Sequence, residues 1–150
     1  MKKITFITLA LFLLLGAYAQ QPKREIIVNP LLIEKLGANK VNELRATNPR
    51  QLIIENIELT HFCSLTAKLG EPDETYKMMG ELKNFVKEGK TCNYQDIISN
   101  GYVDRYDFKI QSHPTLTTIY TLGNTGYYLF VQSEEWMEEH KRAVIADYGL

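Results

Sequence analysis

This sequence has almost nothing with which to hold a metal or a cofactor. Its three histidines, His61, His113 and His140, are dispersed and lack the H-E-x-x-H or paired C-x-x-C spacing of a zinc site. Only two cysteines occur, Cys63 and Cys92. Asp104 and Asp107 do not follow the D-x-D-x-D-G pattern of a calcium loop. Gly123 and Gly126 flank a turn instead of opening a helix, so they do not cradle a phosphate. Neither a metal nor a cofactor is expected. An excess of one charge is also missing: 17 Lys and Arg face 18 Asp and Glu, a formal net charge of −1. Nucleic-acid binding draws its affinity from a basic face that releases counterions, and no such cluster stands in the chain, so no nucleic-acid partner is expected. The same deficit disfavours an anionic membrane surface. No internal repeat, low-complexity tract or linker divides the chain, so one domain is the economical reading.

What is present begins at the N-terminus. Lys2 and Lys3 precede an apolar run from Ile4 to Leu15, and Gly16 leads into Ala17-Tyr18-Ala19. A charged n-region, an h-region and an A-x-A site make a cleavable export signal over residues 1–19. The run is shorter than the roughly 20 residues needed to cross a bilayer, so no stable membrane insertion is expected once the signal is cleaved. Losing Lys2 and Lys3 from the 17 basic side chains, against 18 acidic ones, leaves a formal charge of −3. The expected product is secreted or periplasmic: a flexible leader over residues 20–28, then a single domain over residues 29–150. About 130 residues bury roughly two-thirds of their unfolded surface, enough for an independent core. An oxidising compartment lets a disulfide persist. Cys63 with Cys92 is the one intrachain pairing, and its alternative is two separate buried thiols.

Local patterns indicate an α+β fold. Asn29-Pro30 opens an N-terminal helix that Gly37 ends, and Val41 and Leu44 continue into a second one. From Ile53 to Leu69 the odd positions are mostly apolar, while the even ones from Asn56 to Lys68 are polar except Phe62, which favours a strand; a helix starting at Asn48-Pro49 is the rival. Tyr76, Met79, Leu82, Phe85 and Val86 recur at helical spacing, giving a middle helix. A short element around Asp96 to Ile98 precedes the turn pair Asn100-Gly101. Tyr102 to Ile110, Thr115 to Leu122 and Tyr127 to Gln132 read as strands, the last two joined by the hairpin turn Gly123-Asn124-Thr125-Gly126. Ser133 caps a C-terminal helix. The expected architecture is an antiparallel sheet of about four strands, including a C-terminal hairpin, packed with N-terminal, middle and C-terminal helices.

Catalytic constellations are weak. His61 and Cys63 suggest a base and a nucleophile, but same-face strand neighbours sit roughly 6.5 to 7 Å apart, while proton transfer needs about 3 Å. Glu134, Glu135, Glu138 and Glu139 are more simply a solvated helix face than paired acids. The remaining feature is nine tyrosines, of which Tyr102, Tyr106, Tyr120, Tyr127 and Tyr128 fall in the C-terminal strands, where amphipathic rings suit protein or glycan contacts.

Asn48-Pro49 with Leu52 and Asn56, then Asp107-Phe108-Lys109-Ile110, then the tyrosine-rich hairpin ending Val131-Gln132-Ser133 together resemble a group of small exported bacterial proteins of unknown function. The likeness spans residues 48–133 and the signal. This chain departs from the group in carrying Lys109 where asparagine is usual and Glu55 where an apolar residue is usual. The resemblance implies export and a sheet-containing domain, and it brings no catalytic residues. The expected function is a non-enzymatic, envelope-associated or secreted domain binding a protein or glycan through its tyrosine-bearing sheet. A small extracytoplasmic hydrolase using His113 or His140 with carboxylates, and a periplasmic inhibitor or immunity-type protein, are the alternatives.

Overall fold

Asn29 starts the first helix in the expected way: its side chain accepts a hydrogen bond from the Leu31 amide at 2.9 Å, and Pro30, which has no amide to satisfy, takes the first helical position. In the computed structural model, which describes residues 24–70 and 74–150, helix α1 covers Pro30–Leu36 and α2 covers Ala38–Thr47, hinged at Gly37. The export signal, the first four residues of the leader and residues 71–73 lie outside the described residues. Asn48 caps the next helix by accepting from the Gln51 amide at 3.1 Å, and α3 runs from Pro49 to Thr60. The strand expected from Ile53 onward is thereby corrected. Ile53 and Ile57 satisfy a period of two and a helical face equally well, and the Asn48-Pro49 cap together with Leu52 decides for the helix. Only Cys63–Thr66 remains strand, as β1.

The middle helix expected over Tyr76–Val86 is a second correction. Tyr76–Glu81 forms strand β2, and Leu82–Phe85 forms one 3-10 turn. Gly80 explains why: it sits at φ 104° where the register shifts between Met78 and Gly80, a conformation open to glycine that a helix does not contain. The middle helix is instead α4, Tyr94–Asn100, capped by Asn93 and ended by Gly101 in the left-handed region. The strand expected at Tyr102–Ile110 is replaced by a 3-10 turn at Arg105–Asp107 and a single antiparallel bridge between Val86 and Phe108. Strands β3 (Thr117–Thr121) and β4 (Tyr128–Val131) form the expected hairpin, and Ser133 caps α5, Glu134–Asp147.

The sheet order is β1-β4-β3-β2. Strands β1 with β4 and β4 with β3 are antiparallel, whereas β2 pairs parallel with β3, so the sheet is mixed and mostly antiparallel. A parallel pair needs a long crossover, and the segment carrying α4 and Arg105 supplies it. That crossover packs Leu82, Ile97, Val103 and Phe108 against Tyr120, Leu122, Leu129 and Val131. Ile53, Ile57, Met137 and Ile145 form a second cluster between α3 and α5, and Phe62 touches both clusters. Where the crossover meets the helices at this seam, charged side chains from both collect.

The hairpin turn offers a local test. Gly123 has φ 55°, and a Cβ there would lie 3.0 Å from the Tyr94 ring and 3.3 Å from Glu81 Oε1. Tyr94 cannot swing away freely, because its hydroxyl donates to Glu81 Oε1 and accepts from the Lys83 amide. Gly126, at φ 76°, has open space around it. Gly126→Ala is expected to cost about 1 kcal/mol of backbone strain, and Gly123→Ala about 2 to 3 once the contact is added. Urea denaturation of the two variants measures the difference; equal losses would show that Tyr94 yields.

Candidate functional site

Asp104 accepts the Tyr106 amide at 3.0 Å and so tightens Arg105–Asp107 into one turn, from which Asp104 and Arg105 reach side chains of the helices. Arg105 forms an ion pair with Glu58 of α3, whose second oxygen takes Lys141 of α5 at 2.5 Å. Lys35 of α1 forms an ion pair with Asp104, and Lys90 one with Asp107 at 2.7 Å. The Arg105 guanidinium lies 5.0 Å from the Phe62 ring centre and 5.4 Å from that of Tyr106, and Lys35 Nζ lies 5.3 Å from Tyr106, all within cation–π reach. Lys35, Glu58, Lys90 and residues 104–107 edge a cleft of about 400 Å³ between α1, α3 and the crossover.

The charges are held in place. Burial alone would raise the Glu58 carboxyl, but hydrogen bonds from Lys141 and Arg105 outweigh it and bring it below its usual value. Asp104 is likewise lowered, the Lys35 ammonium and the Tyr106 amide overcoming burial. Both stay ionised near neutrality, which suits them to accepting hydrogen bonds and not to donating a proton. A second, more open depression of about 670 Å³ shares Arg105 and Tyr106 with the cleft and is also bordered by Lys87, Lys109, Phe62 and Glu134.

The five tyrosines singled out from the sequence do not form one surface. Tyr106 is 55% exposed at the rim of the cleft, and Tyr102 is 37% exposed on the same crossover, outside the sheet. Tyr120 is fully buried at the centre of the sheet and belongs to the core, which corrects its place among contact residues. Tyr127 and Tyr128 are half-buried at the hairpin, on successive positions that face opposite sides of the strand. Cys63 and Cys92 are unbridged thiols in the structure, which is the second of the two alternatives the sequence leaves open. Burial pushes the Cys63 thiol up to about 12, far from the thiolate a nucleophile needs.

The histidines lie apart from the cleft. His113 Nδ1 accepts the Thr115 and Leu116 amides and shapes a turn. His140 stacks on Trp136 at 4.6 Å and meets His61 edge-on at 4.8 Å. Burial, followed by the neighbouring His140, lowers His61. Among the described residues no three His, Cys, Asp or Glu side chains gather as a metal centre, and no helix is long and apolar enough to cross a membrane.

No local pattern in the sequence marks Lys35, Glu58, Lys87, Arg105 and Lys141, since each meets partners remote in the chain. One signal was present: in Asp104-Arg105-Tyr106-Asp107 both charges alternate around an aromatic, a poor composition for a buried strand. No protein-family model, no curated protein and no solved structure matches this chain.

Proposed function

We propose that the protein is an exported, non-enzymatic domain that binds a glycan in the cleft beside Arg105 and Tyr106. The observation that carries this reading is the half-exposed Tyr106 ring set among ion-paired side chains of both signs. Lys35, Lys90 and Arg105 face Glu55, Glu58, Asp104 and Asp107 around the cleft, so its charges nearly cancel and no simple ion is drawn in. A polyhydroxylated ring suits such a wall. Each hydroxyl both donates and accepts, and hydrogen bonds to ionised partners are about twice as strong as neutral ones. The Tyr106 ring supplies an apolar surface for the sugar's carbon-bound hydrogens. The cleft's volume is in the range of small-ligand sites, about 300 to 1,000 Å³. Ion pairs already in place hold the donors and acceptors before the ligand arrives, which lowers the ordering cost of binding. The export signal over residues 1–19 supports an encounter with glycans of the envelope or the exterior.

Tyr106→Ala tests the reading. The exposed side chain can be removed with a stability change within about 0.5 kcal/mol, while the affinity for oligosaccharides found on a glycan array should fall at least about tenfold. Tyr128→Ala should leave that affinity unchanged. The opposite result, with binding lost in Tyr128→Ala and kept in Tyr106→Ala, would move the site to the hairpin, and an array without any hits would refute glycan binding.

A further inference from the structure

We infer that the glycan is an acidic chain, with a neutral unit in the cleft and a uronic-acid unit in the adjoining depression, on Lys87 and Lys109. The inference rests on the glycan-binding reading and adds the class of sugar. It starts from the bridge between Val86 and Phe108. Backbone hydrogen bonds from the Lys87 amide to Asp107 and from the Lys109 amide to Phe85 flank that bridge, so Lys87 and Lys109 become diagonal neighbours across an antiparallel pair. Such positions sit roughly 7 to 8 Å apart, close enough for two long side chains to reach one carboxylate. Phe108 turns into the core, which leaves Lys87 and Lys109 on the opposite side, at the edge of the depression.

The charge here differs from that of the cleft. Lys87, Lys109 and Arg105 meet only Glu134 around the depression. Lys109 has no ion-pair partner among the described residues, and Lys87 Nζ uses one donor on the Tyr106 carbonyl at 2.8 Å, keeping two protons for a ligand. Glu58 occupies one Arg105 nitrogen, and Arg105 lines both cavities. A balanced cavity beside a cationic one, joined across the Arg105–Tyr106 pair, fits a chain whose charge lies on one unit. A free anion would use only half of it.

The experiment titrates the full-length processed protein with matched neutral and uronic-acid-containing oligosaccharides of two to six units, and with free glucuronate. The acidic chains should bind at least about tenfold more tightly than neutral chains of equal length, and raising the salt from 50 to 500 mM should remove most of that preference. Lys87→Ala/Lys109→Ala should bring acidic chains down to the neutral affinity with melting unchanged, whereas Tyr106→Ala should weaken both classes. Equal affinity for the two classes, a preference that survives the double substitution, or free glucuronate binding as well as the chains would each overturn the inference while leaving glycan binding intact. Failure of every chain to bind would count against the glycan reading itself.

Discussion

Tyr120→Ala is expected to remove about 3 to 5 kcal/mol of stability, a sizeable share of the roughly 5 to 15 kcal/mol that holds a typical domain, and to lower the Tm by about 10 to 20 °C. Tyr120 is fully buried at the middle of β3, and its ring meets Phe85 edge-on at 4.9 Å. Truncation would therefore open a cavity where the sheet, the 3-10 turn and the crossover converge. The hydroxyl behaves differently from the ring. It is enclosed near the Gln111 backbone and the Thr118 hydroxyl, yet it makes no well-formed hydrogen bond among the described residues. An enclosed polar group without a partner costs about 1 to 3 kcal/mol, so Tyr120→Phe should be at least as stable as the parent. A loss above about 1 kcal/mol in Tyr120→Phe, measured by chemical denaturation, would show that the hydroxyl is bonded after all.

Glu58→Ala should have the next largest effect. It leaves Arg105 and Lys141, whose side chains are 31% and 14% exposed, facing each other without the carboxylate between them. Stripping one member from a fully buried pair costs about 3 to 5 kcal/mol; with partial solvent access about 1 to 3 is expected here. Glu43→Ala, which breaks the exposed pair with Lys40, should stay within about 0.5 kcal/mol. Adding Arg105→Ala to Glu58→Ala should cost less than the sum of the two single changes, since the stranded charge is removed with its partner. The pH dependence follows from the same contacts. The folded-state values of Glu58 and Asp104 lie below their ordinary 4.5 and 3.8, so each contributes stability that is present above the ordinary value and lost as pH falls through the folded one. Melting followed from pH 6 to pH 3 should decline in the parent and decline less in Glu58→Gln. Parallel curves would show that Glu58 does not contribute to acid sensitivity.

The features legible in the sequence are those that a few adjacent residues decide. Asn29-Pro30 and Ser133 act through side-chain caps two to three residues away, and the Gly123–Gly126 turn acts through its own backbone, so each could be read without a fold. The segment from Tyr76 to Val86 could not. Its apolar spacing fits a helix, but Tyr76 and Met79 belong to a strand and Leu82 and Phe85 to a 3-10 turn, because pairing with β3, distant in the chain, outweighs local spacing. The α3 region was ambiguous for the opposite reason: two periodicities shared Ile53 and Ile57, and only the cap distinguishes them. The cleft was legible only in part. Tyr106 is marked in the sequence only as one of five tyrosines in expected strands, whereas Glu58, Lys87 and Lys141 gain their significance from partners 18 or more residues away in the sequence, which no local pattern encodes.

Amide chemical-shift mapping of isotope-labelled protein during an oligosaccharide titration tests the central proposal most directly. Binding in the cleft predicts that the resonances of Lys35, Glu58, Arg105 and Tyr106 move together and saturate at one dissociation constant, while those of Tyr127 and Tyr128 stay in place. Saturable shifts confined to the hairpin, with the Arg105–Tyr106 turn unmoved, would contradict it.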